Sequence, residues 1–471
     1  MIVVAVALQV LAVLDAWRWL RVAQQEHYIA GSVTRFAARW WRVGIGLPLR
    51  GRTSKLVFTR RMRVLSAITL VLHAGVFFAL AALTPAVVAS AIALFLLPAT
   101  IDGALLVAAP LEERALKPFI TQATEKLRTI APTIVGITGS YGKTSTKVVL
   151  AHIVNGTKTV AASPASFNNR AGLARAVNEG LSPGTDVFVA EMGTYGVGEI
   201  AALCEWCPPT ISMITAIGPV HLERFGSEDV TLTAKSEILA TATTVILNED
   251  DERLAKLADR LAAEGTKRVL RASATRVDAD VAVIADDEGG RVYENGELVG
   301  RVAKLPTAPT NVACAIAAAR ALGVPATDIV TRLASAPVAS HRLETATAPS
   351  GATVLDDTFN SNPAGARRAL ALLATSGAPN GRKVLITPGM IELGPRQFEE
   401  NAQLGTDAAK VASVIGIVGR TNRKALLTGL AGTSVEVRKF RTREKAVAWV
   451  RANLTAGDAV LYENDLPDLY K

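Results

Sequence analysis

The residues best suited to chemistry lie between Gly136 and Lys147, where the chain reads Gly-Ile-Thr-Gly-Ser-Tyr-Gly-Lys-Thr-Ser-Thr-Lys directly after the apolar run Thr133-Ile134-Val135. A strand that runs into a glycine-rich turn and then a helix aims successive backbone N–H groups at a phosphate, and the positive end of the helix dipole adds to them. In this spacing Gly139, Ser140 and Gly142 form a cradle and Lys143 reaches the outer phosphates. The hydroxyls of Thr144 and Ser145 follow at the helix start, with Thr144 as a Mg²⁺ ligand. The glycines stand at 136, 139 and 142, a tighter variant of the standard phosphate loop, since Ile137 lies five residues before Gly142. The expected ligand is ATP or a close relative.

Further polar clusters follow in order. Glu191-Met192-Gly193 closes the next strand, at the end where ligands bind in doubly wound sheets, and an acid there is placed to ligate Mg²⁺. His221 follows in Gly218-Pro219-Val220-His221-Leu222, and Lys235 in Ala234-Lys235-Ser236-Glu237. Singly, such residues are a satisfied loop histidine and a solvated helix lysine. As an ordered series behind a phosphate loop they read as parts of one site.

The elements that must hold these residues alternate between apolar strands and Ala-rich helices, which predicts an α/β protein with a mainly parallel sheet. Strands are expected at 133–137, 186–190, 210–215 and 244–247, with helices at 199–206 and 311–322. Residues 281–302 read as short β-hairpins, with Glu294-Asn295-Gly296 at one turn. A second set of strands, at 353–355, 383–386, 413–417 and 459–462, places a domain boundary near His341.

The chain has 471 residues, of which 50% are apolar, and a mean hydropathy of +0.29, high for a wholly soluble protein. Three segments are candidates to span a bilayer: Ile2 to about Leu20, Val64 to Leu83, and Ala86 to about Pro110, the last two joined as a hairpin at Pro85. The first lacks a basic leader and a small-residue cleavage site, so it reads as an anchor. Between Arg18 and Arg63 stand eleven Arg or Lys and a single acid, Glu26, which places this belt in the cytoplasm together with everything after Leu111. Arg35, Phe36, Arg39, Trp40, Trp41 and Arg42 suit a helix on an anionic membrane surface better than nucleic acid, so membrane lipids are expected partners and nucleic acid is not. Most of the net charge of +9 lies in this belt. Cys204, Cys207 and Cys314 are too few for a structural zinc site and read as reduced thiols.

From about residue 131 to 471 the chain resembles the Mur ligases, the ATP-dependent enzymes that add amino acids to cell-wall precursors, and looks most like the MurF type, which adds D-Ala-D-Ala. The resemblance rests on eight ordered motifs. They are the phosphate loop, Ser166-Phe167-Asn168-Asn169, Glu191-Met192-Gly193, Gly218-Pro219-Val220-His221-Leu222 and Ala234-Lys235-Ser236-Glu237-Ile238. They continue through Leu305-Pro306 with Asn311-Val312, Arg342-Leu343-Glu344, and Asp356-Asp357-Thr358-Phe359-Asn360-Ser361-Asn362-Pro363.

The apolar segments make residues 1–110 a membrane anchor, standing where the family has its UDP-sugar-binding domain, and the resemblance implies a P-loop ATPase-like doubly wound central domain (111–340) and a Rossmann-like C-terminal domain (341–471). It implies a carboxylate activated by ATP as an acyl phosphate, then attacked by an amine. Lys143 and Arg342 would neutralise the γ-phosphate, while Thr144 and Glu191 hold one Mg²⁺ and His221 a second. Lys235 would be a metal-directed carbamate. Asn168, Asn311 and Asp357 would hold nucleotide or substrate, Asp357 at the ribose.

The partners implied are an envelope-precursor carboxylate, free or on a lipid carrier, and an amino acid or dipeptide. A ligase extending a poly-amino-acid capsule and a nucleotide-sensing membrane scaffold are the alternatives. Three departures bear on the amino donor. Pro388-Gly389-Met390-Ile391-Glu392-Leu393-Gly394 lacks an expected Asp, Asn401 replaces a His, and Glu463-Asn464-Asp465 replaces a Lys-Gly-Ser-type loop.

Overall fold

The computed structural model describes residues 1–26, 28–43, 56–220, 222–359 and 361–465. It forms two compact units, Met1–Pro118 and Phe119–Asp465.

The first unit is helical. Helix α1 (Ile2–Gln25) and α3 (Arg60–Ala81) are long and apolar enough to cross a membrane. The short α2 (Ser32–Val43) lies between them in the chain. The third apolar segment differs from expectation. It breaks into α4 (Ala86–Phe95) and α5 (Leu97–Ile130), bent by 64°. Nor does Pro110 end the helix, because α5 runs through both Pro110 and Pro118 into a charged stretch. Trp19, Met62, Leu65, Leu97 and Ile101 pack into a small core. Asp102 accepts hydrogen bonds from the backbone N–H groups of Val33 (3.3 Å) and Thr34 (2.8 Å), so a buried acid on α5 satisfies two of the orphan donors opening α2.

The second unit holds two sheets. The strands of the first are β1 (Thr133–Thr138), β2 (Val160–Ala162), β3 (Val187–Glu191), β4 (Ile211–Ile214), β5 (Thr244–Asn248), β6 (Arg268–Ser273), β7 (Val281–Asp286), β8 (Gly289–Glu294) and β9 (Glu297–Val302). Their order is β2-β3-β1-β4-β5-β6-β7-β8-β9, parallel as far as β7 and antiparallel beyond. Parallel strands need both faces covered, and their side chains read as near-continuous apolar runs. Helix α6 (Lys143–Val154) and the helix Pro309–Ala321 cover one face, burying Ile137, Leu150, Met213 and Ile316. The helices Arg170–Gly180 and Glu252–Glu264 cover the other, around Phe188, Leu173 and Leu247. The β8–β9 turn uses Asn295 and Gly296, both with positive φ (49° and 86°), the pair a tight hairpin requires.

The second sheet consists of β10 (Glu344–Thr347), β11 (Thr353–Asp357), β12 (Lys383–Thr387), β13 (Val414–Val418), β14 (Glu436–Phe440) and β15 (Ala459–Glu463), ordered β10-β11-β15-β12-β13-β14. All pairs are parallel except β10–β11. The expected strands are thus present, joined by the unforeseen β2, β6, β10 and β14. Asn401 is fully buried, and its amide bonds the Met390 N–H (2.7 Å), the Met390 carbonyl (2.9 Å) and the Gln397 carbonyl (2.7 Å). It pins the turn after β12. Asn362 caps the helix Pro363–Thr375 by accepting from the Gly365 N–H at 2.9 Å.

Candidate active site

The turn between β1 and α6 can be built only with glycine at two places. Gly139 and Gly142 have φ of 149° and 82°. A Cβ on Gly139 would lie 2.0 Å from Thr215 Oγ1, and one on Gly142 would lie 2.2 Å from Asn311 Oδ1. Ser140 Oγ accepts from the Gly218 N–H at 3.0 Å, and Thr215 Oγ1 donates to the Tyr141 carbonyl, so the loop is braced by the segment after β4. Lys143 Nζ donates to the Gly139 carbonyl at 2.7 Å, arching across the loop mouth. Burial lowers its pKa, and the nearby Arg342 charge does so further against the pull of Glu191.

Glu191, at the end of β3, gathers the next set of groups. Its Oε2 accepts from Thr144 Oγ1 (3.0 Å) and Lys147 Nζ (2.9 Å), and its Oε1 accepts from Asn168 Nδ2 (3.1 Å). The backbone N–H of Glu191 donates to Ser163 Oγ, and Lys147 also donates to the Ala165 carbonyl at 2.6 Å. Burial alone would raise the Glu191 carboxyl, but the charges of Lys147 and Lys143 and the hydrogen bonds hold it below the ordinary glutamate range.

Lys235 is 3% exposed, and its side-chain amine has no hydrogen-bond or ion-pair partner among the described residues. Burial, with the Lys143 charge adding to it, drives its pKa well below the usual lysine value, favouring the neutral amine.

The second sheet contributes from the join between the sheets. Arg342 lies 4.8 Å over the Phe359 ring and feels the charges of Asp357 and Glu191, while burial lowers its own pKa. It is flanked by His341 and Leu343, both at positive φ (57° and 58°). Asp357, at the end of β11, is buried, which raises its pKa against the opposing Arg368 and Arg342. The sheets are tied by the Leu222 N–H donating to the Glu392 carbonyl (3.1 Å) and by Arg396 pairing with Glu228 (3.3 Å).

Of the residues singled out in the sequence, Gly139, Ser140, Gly142, Lys143, Thr144 and Ser145 form the loop and the first turn of α6, with Asn311 against Gly142. Asn168 and Glu191 bond directly, and Arg342 feels the charges of both Asp357 and Glu191. His221 and Asn360 lie outside the described residues. Sequence reasoning missed Lys147 and Arg368, and touched Glu463 only as part of the Glu463-Asn464-Asp465 departure. Lys147 was discoverable, standing one helical turn after Lys143 and therefore on the same face. The three cysteines are buried free thiols, with Cys204 and Cys314 pushed up to about 12 by burial.

For a divalent cation, Thr144 Oγ1 and Glu191 offer a hydroxyl and a carboxylate, hard oxygen donors of the kind Mg²⁺ takes alongside phosphate and water. The donor set fits, with Lys147 sharing the same carboxylate oxygen.

A mainly parallel sheet whose strand ends gather a glycine turn and an acid, with a second mainly parallel sheet tied to it, defines an α/β enzyme. The sequence matches the Mur ligase middle domain over residues 137–319 and the Mur ligase glutamate ligase domain over 341–462. It is 32% identical over 378 residues to the UDP-N-acetylmuramoyl-tripeptide–D-alanyl-D-alanine ligase of Mycobacterium tuberculosis, covering 74% of this chain and 73% of that one. It is 29% identical over 344 residues to the protein of the same name from Synechocystis, covering 70% and 71%. Among solved structures, MurF from Acinetobacter baumannii superposes with a TM-score of 0.63 at 25% identity, over 74% of this chain and 77% of that one. MurF from Thermotoga maritima, in complex with ADP, shares the fold with a TM-score of 0.65 at 23% identity, over 74% and 80%. The chain belongs to the Mur ligase family of ATP-dependent ligases and is MurF-like.

Proposed function

We propose that this protein joins an amino acid or dipeptide of the D-Ala-D-Ala kind to a carboxylate of a peptidoglycan-type precursor, hydrolysing ATP to ADP and phosphate. The observation that carries this reading is the meeting of Thr144, Lys147 and Asn168 on the Glu191 carboxylate directly beside the glycine turn.

In this reading the central sheet is a P-loop-type nucleotide domain and the second a Rossmann-like domain. Gly139 to Ser145 cradle the phosphates, and Lys143 leaves the Gly139 carbonyl to meet them. Arg342 brings a second positive charge from the other sheet. The precursor carboxylate takes the γ-phosphoryl group, ADP departs, and an amine displaces phosphate from the acyl carbon. The barrier is charge: two anions must meet, and the transferred group must be stabilised by fixed cations. Thr144 and Glu191, with His221, would hold Mg²⁺, which when bound supplies neutralisation of phosphoryl charge. Asn168, Asn311 and Asp357 position nucleotide and substrate. Lys235 is suited to become a carbamate: a buried neutral amine keeps the lone pair that attacks CO₂, and loss of a proton to solvent leaves a fixed anion.

The apolar helices α1 and α3, with α4 and α5 as a bent third, are long and apolar enough to support our reading of a cell-membrane enzyme with a cytoplasmic catalytic part, for which the proposed acceptor is a precursor on a lipid carrier. The test is the purified full chain in lipid nanodiscs with ATP, D-Ala-D-Ala, and either UDP-linked or lipid-linked muramoyl tripeptide. ADP release coupled to a product heavier by one dipeptide supports the reading. ADP release indifferent to every acceptor overturns it, and turnover of the UDP-linked form alone removes the lipid carrier.

A further inference from the structure

The carboxyl group of Glu463 is completely buried at the end of β15, and among the described residues no cationic side chain pairs with it. Its Oε1 accepts from the Ser361 hydroxyl and its Oε2 from the Thr387 hydroxyl. Hydroxyls fix the orientation of a carboxylate without neutralising it, and an ionised acid buried without a cation is costly. The surrounding charges do not relieve it. Asp357 on β11 adds a like charge, while Arg342 and Arg368 face Asp357. Strand β12 offers only Thr387, and Asp465, two residues on, is paired with Arg443 at 2.8 Å. Burial first, then Asp357, pushes the Glu463 carboxyl up to about 7 against the two hydroxyl bonds.

Ser361 is half-buried, on the loop after β11 that also carries Phe359 beneath Arg342. Its hydroxyl therefore links the enclosed acid to the carboxyl ends of β11, β15 and β12, the edge at which parallel sheets bind ligands. The loop is not solvated: Asn464, at φ 62°, donates its side-chain amide to the Gly389 carbonyl (2.7 Å) and its N–H to the Asp357 carbonyl (3.0 Å).

We propose that Glu463 is the proton acceptor for the incoming amine, acting through the Ser361 hydroxyl. The proposal rests on the amide-ligase reading above and identifies the nucleophile's class as an amine that arrives protonated. An ammonium group has no lone pair for attack. One N–H proton passes to Ser361 Oγ as the Ser361 proton passes to Glu463 Oε1, leaving a free amine and a neutral carboxylic acid. The nitrogen lone pair forms the C–N bond at the acyl carbon. The C–O bond to phosphate then breaks, and phosphate leaves with that electron pair and the second N–H proton.

The test compares two nucleophiles on the full-length enzyme with ATP and muramoyl tripeptide. D-Ala-D-Ala is largely protonated at pH 7, whereas hydroxylamine is largely not, and it traps acyl phosphates as hydroxamate without needing a base. Glu463→Gln is expected to lower D-Ala-D-Ala ligation by about 10²-fold, the usual contribution of a general base, while hydroxamate formation stays unchanged. Wild-type kcat/KM for D-Ala-D-Ala should fall below about pH 7, as Glu463 takes up its proton. In Glu463→Gln that limb disappears and the rate climbs with pH toward the ionisation of the amine itself. Glu463→Asp should restore part of the rate and the limb. Equal loss of both products, loss of neither, or an unchanged pH limb in Glu463→Gln overturns the proposal. Absence of hydroxamate from the wild type instead overturns the acyl-phosphate reading, and this inference with it.

Discussion

The Thr144 hydroxyl and the Lys147 ammonium converge on one oxygen of Glu191, at 3.0 and 2.9 Å, tying the first turn of α6 to the end of β3. The pair Lys147–Glu191 is buried on both sides, so removing one partner strands the other. Glu191→Gln should therefore destabilise the fold by about 3 kcal/mol in chemical denaturation and lower turnover by at least about 10²-fold. The double variant Glu191→Gln with Lys147→Met should recover stability without recovering turnover.

Lys235 gives a separable prediction. Lys235→Ala should abolish ligation while leaving nucleotide affinity, read by calorimetry, close to wild type. The pKa of this lysine lies well below 10.5 in the fold, so the unfolded chain binds the proton more readily, and the penalty grows as pH drops from about 10.5. Lys235→Met should accordingly raise the melting temperature at pH 7, with the gain shrinking as pH approaches 10.5.

Gly142→Ala tests the loop. Its φ of 82° is left-handed and its Cβ would meet the Asn311 amide at 2.2 Å. The expected cost is about 1–3 kcal/mol of stability, together with loss of ATP binding measured by fluorescent-nucleotide titration.

Asp458 tests electrostatics away from the site. Arg382 bonds it through its guanidinium and backbone N–H (2.8 Å each), and the Thr455 N–H bonds it at 2.9 Å. Burial works against these bonds, yet they hold the carboxyl at about 2. Since the unfolded value is higher, this stabilisation is complete above about pH 4 and vanishes as pH falls toward 2. Asp458→Asn should lower stability by about 1–3 kcal/mol at pH 7 and flatten the acid limb of the melting curve.

In the helical unit, Asp102→Ala removes the acceptor for Val33 and Thr34 at the start of α2. A loss of about 1 kcal/mol, the ordinary worth of a helix cap, should appear in thermal unfolding of the detergent-solubilised chain.

Much of the central sheet could be read from the chain because local chemistry and global fold agree there. Only glycine accepts the φ of residues 139 and 142, and Asn295-Gly296 announces its own turn. The edge strands were hidden for the opposite reason. Every residue of β10 is exposed, and β14 carries Glu436, Arg438 and Lys439, so neither displays a buried alternation. The break at Leu96 is marked only by Pro98, which sits in the first turn of α5 where proline opens a helix, and Pro110 marks a break that does not occur. Glu463 was the instructive failure. By sequence it stands out only within the Glu463-Asn464-Asp465 departure that bears on the amino donor, and its enclosure comes from Ser361 and Thr387, 102 and 76 residues away.

The two left-handed residues around Arg342 act as a loaded spring. Holding His341 and Leu343 there costs roughly 1–2 kcal/mol apiece, and the restraint comes from His341 Nδ1 against Asp356 at 2.7 Å and from Arg342 over Phe359. Were those contacts severed, that strained backbone would lose this restraint. The arginine's setting is thus fixed by backbone that its own neighbours must keep under tension.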